Sequence, residues 1–158
     1  MKKFLVLLLF LGFNLFAQKQ LPDLNLPSLE GKSVSLKNDF NEKDKLYIFS
    51  FWATWCVPCI NELEEMNDVQ EQWKKELSIE IIAVSTDDSR TQKRVKPLVT
   101  GKEWSYKVLY DTNQDFKRAL SIVNIPYTIV VKNGEIVHIQ NGYVPGSETE
   151  LYKKLKTL

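Results

Sequence analysis

The chain has 158 residues, 44% of them hydrophobic and 26% charged, and a net charge of +1. That is the composition of an ordinary globular domain, long enough to bury a core without the help of cross-links. Near-neutrality argues against a nucleic-acid binder or a protein held electrostatically at a membrane surface.

Residues 1–17, MKKFLVLLLFLGFNLFA, begin with the basic pair Lys2 and Lys3. An apolar run from Phe4 to Phe16 follows, interrupted at Gly12 and Asn14, and the small Ala17 closes it. This is the build of a secretory signal peptide cut after Ala17. The run is short for a membrane span, which takes about 20 apolar residues, so an uncleaved anchor is the lesser alternative. No cysteine follows the run, which argues against a lipid anchor. Loss of Lys2 and Lys3 would turn the net charge from +1 to −1. The remainder, 18–158, reads as one domain bound for a periplasmic or other exported, oxidising compartment, where cysteines pair.

Between Gln18 and Phe40, Pro22, Pro27 and Gly31 punctuate an extended lead-in, and KSVSL predicts a short hairpin. KLYIFSFW, Lys45–Trp52, is a continuous β-branched and aromatic run, as in a central strand buried on both faces. From Cys59 to Leu77, the apolar Leu63, Met66, Val69, Trp73 and Leu77 recur at helical spacing. Ile79–Ser85 predicts a second buried strand, Ser89–Leu98 a polar helix ending near Pro97 and Gly101, Tyr106–Asp111 a third strand and Gln114–Leu120 a short helix. Tyr127–Gly142 predicts two strands joined at Asn133-Gly134, a strong hairpin signal. Ser147–Leu158 predicts a last helix, with Ser147 and Glu150 in capping-box register. Strands alternating with helices and then a hairpin imply an α/β sheet, parallel at first and antiparallel at its end, covered by helices.

Both cysteines of the chain, Cys56 and Cys59, lie in FSFWATWCVPC. Structural zinc takes four ligands, and with the single histidine, His138, the set is one short; His138 reads more simply as a sheet-surface residue. A disulfide closing so short a loop would stabilise by only about 2 kcal/mol, so a passive staple explains the placement poorly. Redox chemistry explains it better. A buried strand runs into a helix start, where unpaired N–H groups and the helix dipole favour a thiolate at Cys56. Pro58 is tolerated in the first turn, and Cys59, one turn further in, is shielded. Position therefore casts Cys56 as the attacking sulfur and Cys59 as the resolving one.

FWATWCVPC behind a buried strand, with NIPYT (Asn124–Thr128) some 70 residues later, resembles the thioredoxin superfamily. The lead-in hairpin and the long stretch between Ser85 and Pro126 resemble its exported TlpA/ResA-like branch. The resemblance implies a thioredoxin-like α/β fold: a central mixed sheet flanked by helices, with an N-terminal hairpin and an extra βα insertion. It implies a cis Ile125–Pro126 bond, a backbone at Ile125 that pairs with an extended substrate, and an apolar contact surface from Trp55 and Tyr127. Trp52 is assigned to the core. Thioredoxin keeps a buried acid six residues before the first cysteine, where this chain has Ser50; ResA-like proteins have a glutamate six residues after it, here Glu62. On a helix Glu62 shares a face with Cys59, and a partly buried carboxylate there would take the Cys59 proton during resolution.

The implied activity is a thiol–disulfide oxidoreductase acting as a reductant of protein disulfides, with no metal and no cofactor beyond the redox-active Cys56–Cys59 disulfide. It would be recharged by a DsbD/CcdA-like membrane thiol reductant, act as a monomer and bind no nucleic acid. Cytochrome c maturation is the family's common task, although SIVNIPYT lacks the glycines and the acid of the segment that cytochrome-specific members carry around this proline. An oxidase or isomerase is the alternative, since direction follows potential; Val57-Pro58 offers no histidine to stabilise a thiolate and leans away from a strong oxidant. A peroxiredoxin-like peroxidase is a third reading, weakened because such sites use Thr-x-x-Cys without a close second cysteine.

Overall fold

In the computed structural model, which describes residues 19–158, every position of Leu46–Trp52 is buried. The expected signal segment, 1–17, lies outside the described residues. In chain order the elements are β1 (Asn25–Pro27), β2 (Ser33–Ser35), β3 (Leu46–Trp52), α1 (Val57–Glu76) and β4 (Ile79–Ser85). After these come α2 (Val95–Gly101), β5 (Lys107–Tyr110), α3 (Asp115–Ala119), β6 (Tyr127–Lys132), β7 (Glu135–Asn141) and α4 (Ser147–Leu155). β1 and β2 form the expected hairpin, and the other five strands form one sheet in the order β5-β4-β3-β6-β7. β3, β4 and β5 run parallel, while β6 and β7 are antiparallel. β5, α2 and α3 fill the long stretch between Ser85 and Pro126.

Alternation along β3 sorts its side chains onto two faces. Ile48 and Trp52 join Leu63, Met66 and Trp73 of α1, Val95 and Val99 of α2, and Leu151 and Leu155 of α4. Tyr47, Phe49 and Phe51 join Phe40 and Phe116 on the other face. There the rings meet edge to face, with centroids 5.0 Å apart for Phe40 and Phe49 and 5.8 Å for Phe49 and Phe116, the geometry that aromatic quadrupoles favour. Both cysteines and Glu62 lie on the α1 side.

Two helix boundaries differ from expectation. The helix predicted over Ser89–Leu98 is a 3-10 turn, Gln92–Arg94, followed by α2, which ends at Gly101 as expected but holds Pro97 in its first turn rather than at its end. A first-turn proline forfeits no intrahelical bond, so its position marks a start as readily as a stop. At α4, Gly146 is the N-cap with φ 92°, and Ser147 is already helical, its Oγ donating to Val144 O at 2.7 Å. The capping box is not formed, because a glycine able to hold a left-handed φ takes the cap position first. Asn133 and Gly134 turn the β6–β7 hairpin with φ of 51° and 80°, the pair of positive values such a tight turn requires.

Candidate active site

β3 ends at Trp52 and α1 begins at Val57, so four residues carry the chain from the sheet to the helix. Cys56 is the N-cap of α1, in extended conformation, with no side chain capping it and no acid in the first turn. Pro58 lies within that first turn. The helix therefore presents its N-terminal N–H groups and positive dipole end at Cys56 without a competing carboxylate, which favours a thiolate there. Cys56 and Cys59 are joined as a disulfide, with Cα atoms 5.3 Å apart. Cys56 retains 6% exposure and Cys59 none.

Glu62, one turn beyond Cys59, is buried, and three strands hold its carboxyl. Ser50 Oγ of β3 donates to Oε2 at 3.0 Å, Thr128 Oγ1 of β6 donates to Oε2 at 3.3 Å, and Gln140 Nε2 of β7 donates to Oε1 at 3.2 Å. The three donors form one row across the sheet, since Ser50 pairs with Thr128 and Thr128 with Gln140. Ser50, where thioredoxin's own acid would stand, instead donates to the acid that α1 brings. Burial pushes the Glu62 carboxyl up to about 7, against the pull of the hydrogen bonds from Ser50, Thr128 and Gln140. The same pocket raises the phenol of Tyr106, through burial first and then the charges of Asp68 and Glu62. Tyr106 also ties its hydroxyl to Leu63 O of α1.

The cysteine loop is clamped from β4. Thr86 donates twice to Trp52 O, from N at 2.8 Å and from Oγ1 at 3.1 Å. Asp87, fully buried, accepts from Thr54 N at 2.9 Å, Thr54 Oγ1 at 2.6 Å and Ser85 Oγ at 2.9 Å. Cys56 N then donates to Ala53 O at 3.0 Å. Asp87, Thr54, Thr128 and Gln140 join the site without having been expected from the sequence. An Asp just past a buried strand end was the available signal for the first; the last two depend on strand register.

The Ile125–Pro126 bond is cis. Pro126 is buried, and Ile125 packs against both core clusters, the cysteine cluster included. Trp55 is 61% exposed and lines a cleft with Thr86, Asp88, Arg90, Thr91 and Gln114. Tyr127 is half-buried against Phe51, centroids 6.5 Å apart, within the cluster on the sheet face away from α1. Val57, 66% exposed, and Val123, 80% exposed, add apolar surface beside Cys56 and just before the Ile125–Pro126 bond. Trp52 is fully buried, in edge contact with Trp104. His138 lies half-buried on β7, and no cluster of three or more Cys, His, Asp or Glu able to hold a metal occurs among the described residues.

The AhpC/TSA family pattern matches residues 17–139. The chain is 31% identical over 137 residues to the thiol-disulfide oxidoreductase ResA of Bacillus thuringiensis, covering 86% of this chain and 76% of that protein. A thioredoxin-like protein from Porphyromonas gingivalis, solved in solution, superposes with a TM-score of 0.76 at 42% identity, over 87% of this chain and 90% of that one. Bacillus subtilis StoA, 20% identical, shares the fold with a TM-score of 0.66, over 84% of this chain and 99% of its own.

Proposed function

The chain belongs to the AhpC/TSA family and to its thioredoxin-like thiol-disulfide oxidoreductases, and from that premise we propose that it reduces disulfides in other exported proteins through the Cys56–Cys59 couple. The observation that carries the reading is the unequal placement of the two sulfurs: Cys56 at a bare helix N-terminus with residual exposure, Cys59 sealed one turn inside beside a buried carboxyl.

In the reduced protein the Cys56 thiolate attacks one sulfur of a substrate disulfide. The bond between the substrate sulfurs breaks, a Cys56–substrate disulfide forms, and one substrate thiolate leaves. Glu62, as carboxylate, takes the Cys59 proton. The Cys59 thiolate then attacks Cys56 Sγ, closing the Cys56–Cys59 disulfide and releasing the second substrate thiolate. Two electrons pass to the substrate, and a membrane thiol reductant of the DsbD/CcdA kind returns them. A carboxyl held near 7 suits this task, since it gives up and regains a proton close to neutral pH. Trp55, Val57 and Val123 offer apolar contact to an unfolded or extended chain, and Ile125 offers backbone beside the disulfide.

Direction is read as reducing because nothing between the cysteines stabilises the thiolate form beyond the helix end. Ala53, three residues before Cys56, stands where a peroxidase site of the Thr-x-x-Cys kind would have its threonine, which favours disulfide exchange over peroxide reduction. The segment Ser121–Thr128 lacks the glycines and acid of cytochrome-specific relatives, so the proposed substrates are exported protein disulfides broadly, with apocytochrome c as one candidate. Export itself rests on the character of residues 1–17; among the described residues no helix is long and apolar enough to cross a membrane.

The division of labour is tested with oxidised glutathione. Reduced Cys59→Ser is expected to stop at a stable mixed disulfide on Cys56, and Cys56→Ser to form one at least tenfold more slowly. Equal rates would overturn the assignment.

A further inference from the structure

We propose that Gln140 is a positioning residue for Glu62, aimed at its carboxyl by a bulge in β7; the inference rests on the reading of Glu62 as proton acceptor given above. The hairpin turn pairs Lys132 with Glu135 and Val131 with Ile136, and continued without interruption that register would set Ile139 opposite Thr128. The register shifts by one residue between Val130 and Val131, leaving Val137 without a partner and bringing Gln140 opposite Thr128 instead. A one-residue slip exchanges the two faces of a strand, so the bulge is what puts an amide rather than an isoleucine in the row over which Glu62 lies. Ile139, displaced from that row, is 47% exposed.

The three donors are not equivalent. Ser50 and Thr128 are fully buried, and a hydroxyl donates to a carboxylate or accepts from a carboxylic acid by rotating its hydrogen alone. Gln140 must turn over its whole amide to do the same, so its Nε2–H favours the carboxylate. It is also the donor that reaches the rim, lining an open cleft with Asn141, Gly142, Tyr143, Val144 and Ser147. Other titratable groups facing Glu62 are Tyr106, just before β5, and Tyr143, after β7, each of whose phenols is raised partly by the Glu62 charge. Asp68 of α1 adds charge toward Tyr106, while Glu65 of α1 and Glu148 of α4 add it toward Tyr143. No Lys or Arg pairs with Glu62 among the described residues, which leaves the Gln140 amide as the outermost group holding its charge.

The test is the pH profile of Cys59 alkylation by iodoacetamide, with Cys56→Ser making Cys59 the single thiol. Gln140→Leu and the longer Gln140→Met, which keeps the side-chain length and removes the donor, are each compared with Gln140, and again in a Glu62→Gln background. Loss of the donor is expected to tighten proton binding at Glu62 about tenfold, moving its limb of the profile up by about one pH unit. No displacement is expected once Glu62 is Gln. Gln140→Leu and Gln140→Met profiles superimposing on the parent, or a displacement that persists with Gln at position 62, overturn the role of Gln140. If Glu62→Gln alone leaves the parent profile unchanged, the Glu62 reading fails and this inference falls with it; the two failures are told apart by that background.

Discussion

Replacing Glu62 by Gln should make the oxidised protein more stable at pH 8 while slowing its chemistry. The carboxyl is raised from 4.5 to about 7, chiefly by burial, so the folded state binds this proton more tightly than the unfolded chain does. Its contribution to stability is therefore fully present below pH 4.5 and is lost as pH rises through 7. At 1.36 kcal/mol for each pKa unit, the difference amounts to about 3 kcal/mol, most of it falling between pH 5 and 8. Above pH 7 the fold must keep a buried carboxylate with three neutral donors and no cation among the described residues. Gln has nearly the same shape and no charge, and the Ser50 and Thr128 hydroxyls can turn to meet its amide. Urea unfolding of both oxidised proteins at pH 5 and pH 8 checks this. The wild type should lose about 2–3 kcal/mol more than Glu62→Gln over that interval. Equal losses, within about 1 kcal/mol, would refute the reasoning, because the carboxyl would then titrate alike in folded and unfolded chains.

Thr54→Val removes the hydroxyl on Asp87 Oδ1 while leaving the backbone N–H bond to Oδ2, so it should cost about 1–3 kcal/mol of stability and slow disulfide exchange at Cys56, with Thr54→Ser restoring both. Equal behaviour of Val and Ser in thermal unfolding and glutathione exchange would count against the clamp. Trp55→Ala, at a side chain 61% exposed, should change stability by less than about 0.5 kcal/mol and leave reduction of oxidised glutathione untouched, while slowing reduction of a protein disulfide such as insulin's. An equal loss on both substrates would place Trp55 in the loop's architecture rather than in substrate contact.

The architecture was legible because its signals are local. The buried run Lys45–Trp52, the apolar spacing of Leu63, Met66 and Trp73, and Asn133-Gly134 each report on a few neighbouring residues, and each element stands where its pattern placed it. Pro97 and Ser147 misled for a common reason: a proline serves a first turn as well as a boundary, and a glycine one residue earlier can take a cap from a serine. Of the candidate site, Cys56 and Cys59 could be read from their place on one strand–helix unit, and Glu62 from the resemblance to ResA-like proteins together with its helical spacing from Cys59. Thr128 and Gln140 could not, since which residue stands opposite Ser50, and which opposite Thr128, depends on register, and the bulge at Val137 shifts the second pairing by one. Asp87 escaped for a similar reason, its partner Thr54 lying 33 residues away across the parallel β3–β4 pair. Local pattern gives the sulfurs; only the paired sheet gives the cradle around the carboxyl.

The direction of electron flow is decided by the equilibrium between the Cys56–Cys59 couple and a graded glutathione redox buffer. A reversible two-electron couple is expected nearer to about −270 mV than to about −120 mV, the span that separates a cytosolic-type reductant from a strong oxidant. A value near about −120 mV would contradict the reducing direction, and the absence of any reversible couple would contradict the oxidoreductase chemistry itself.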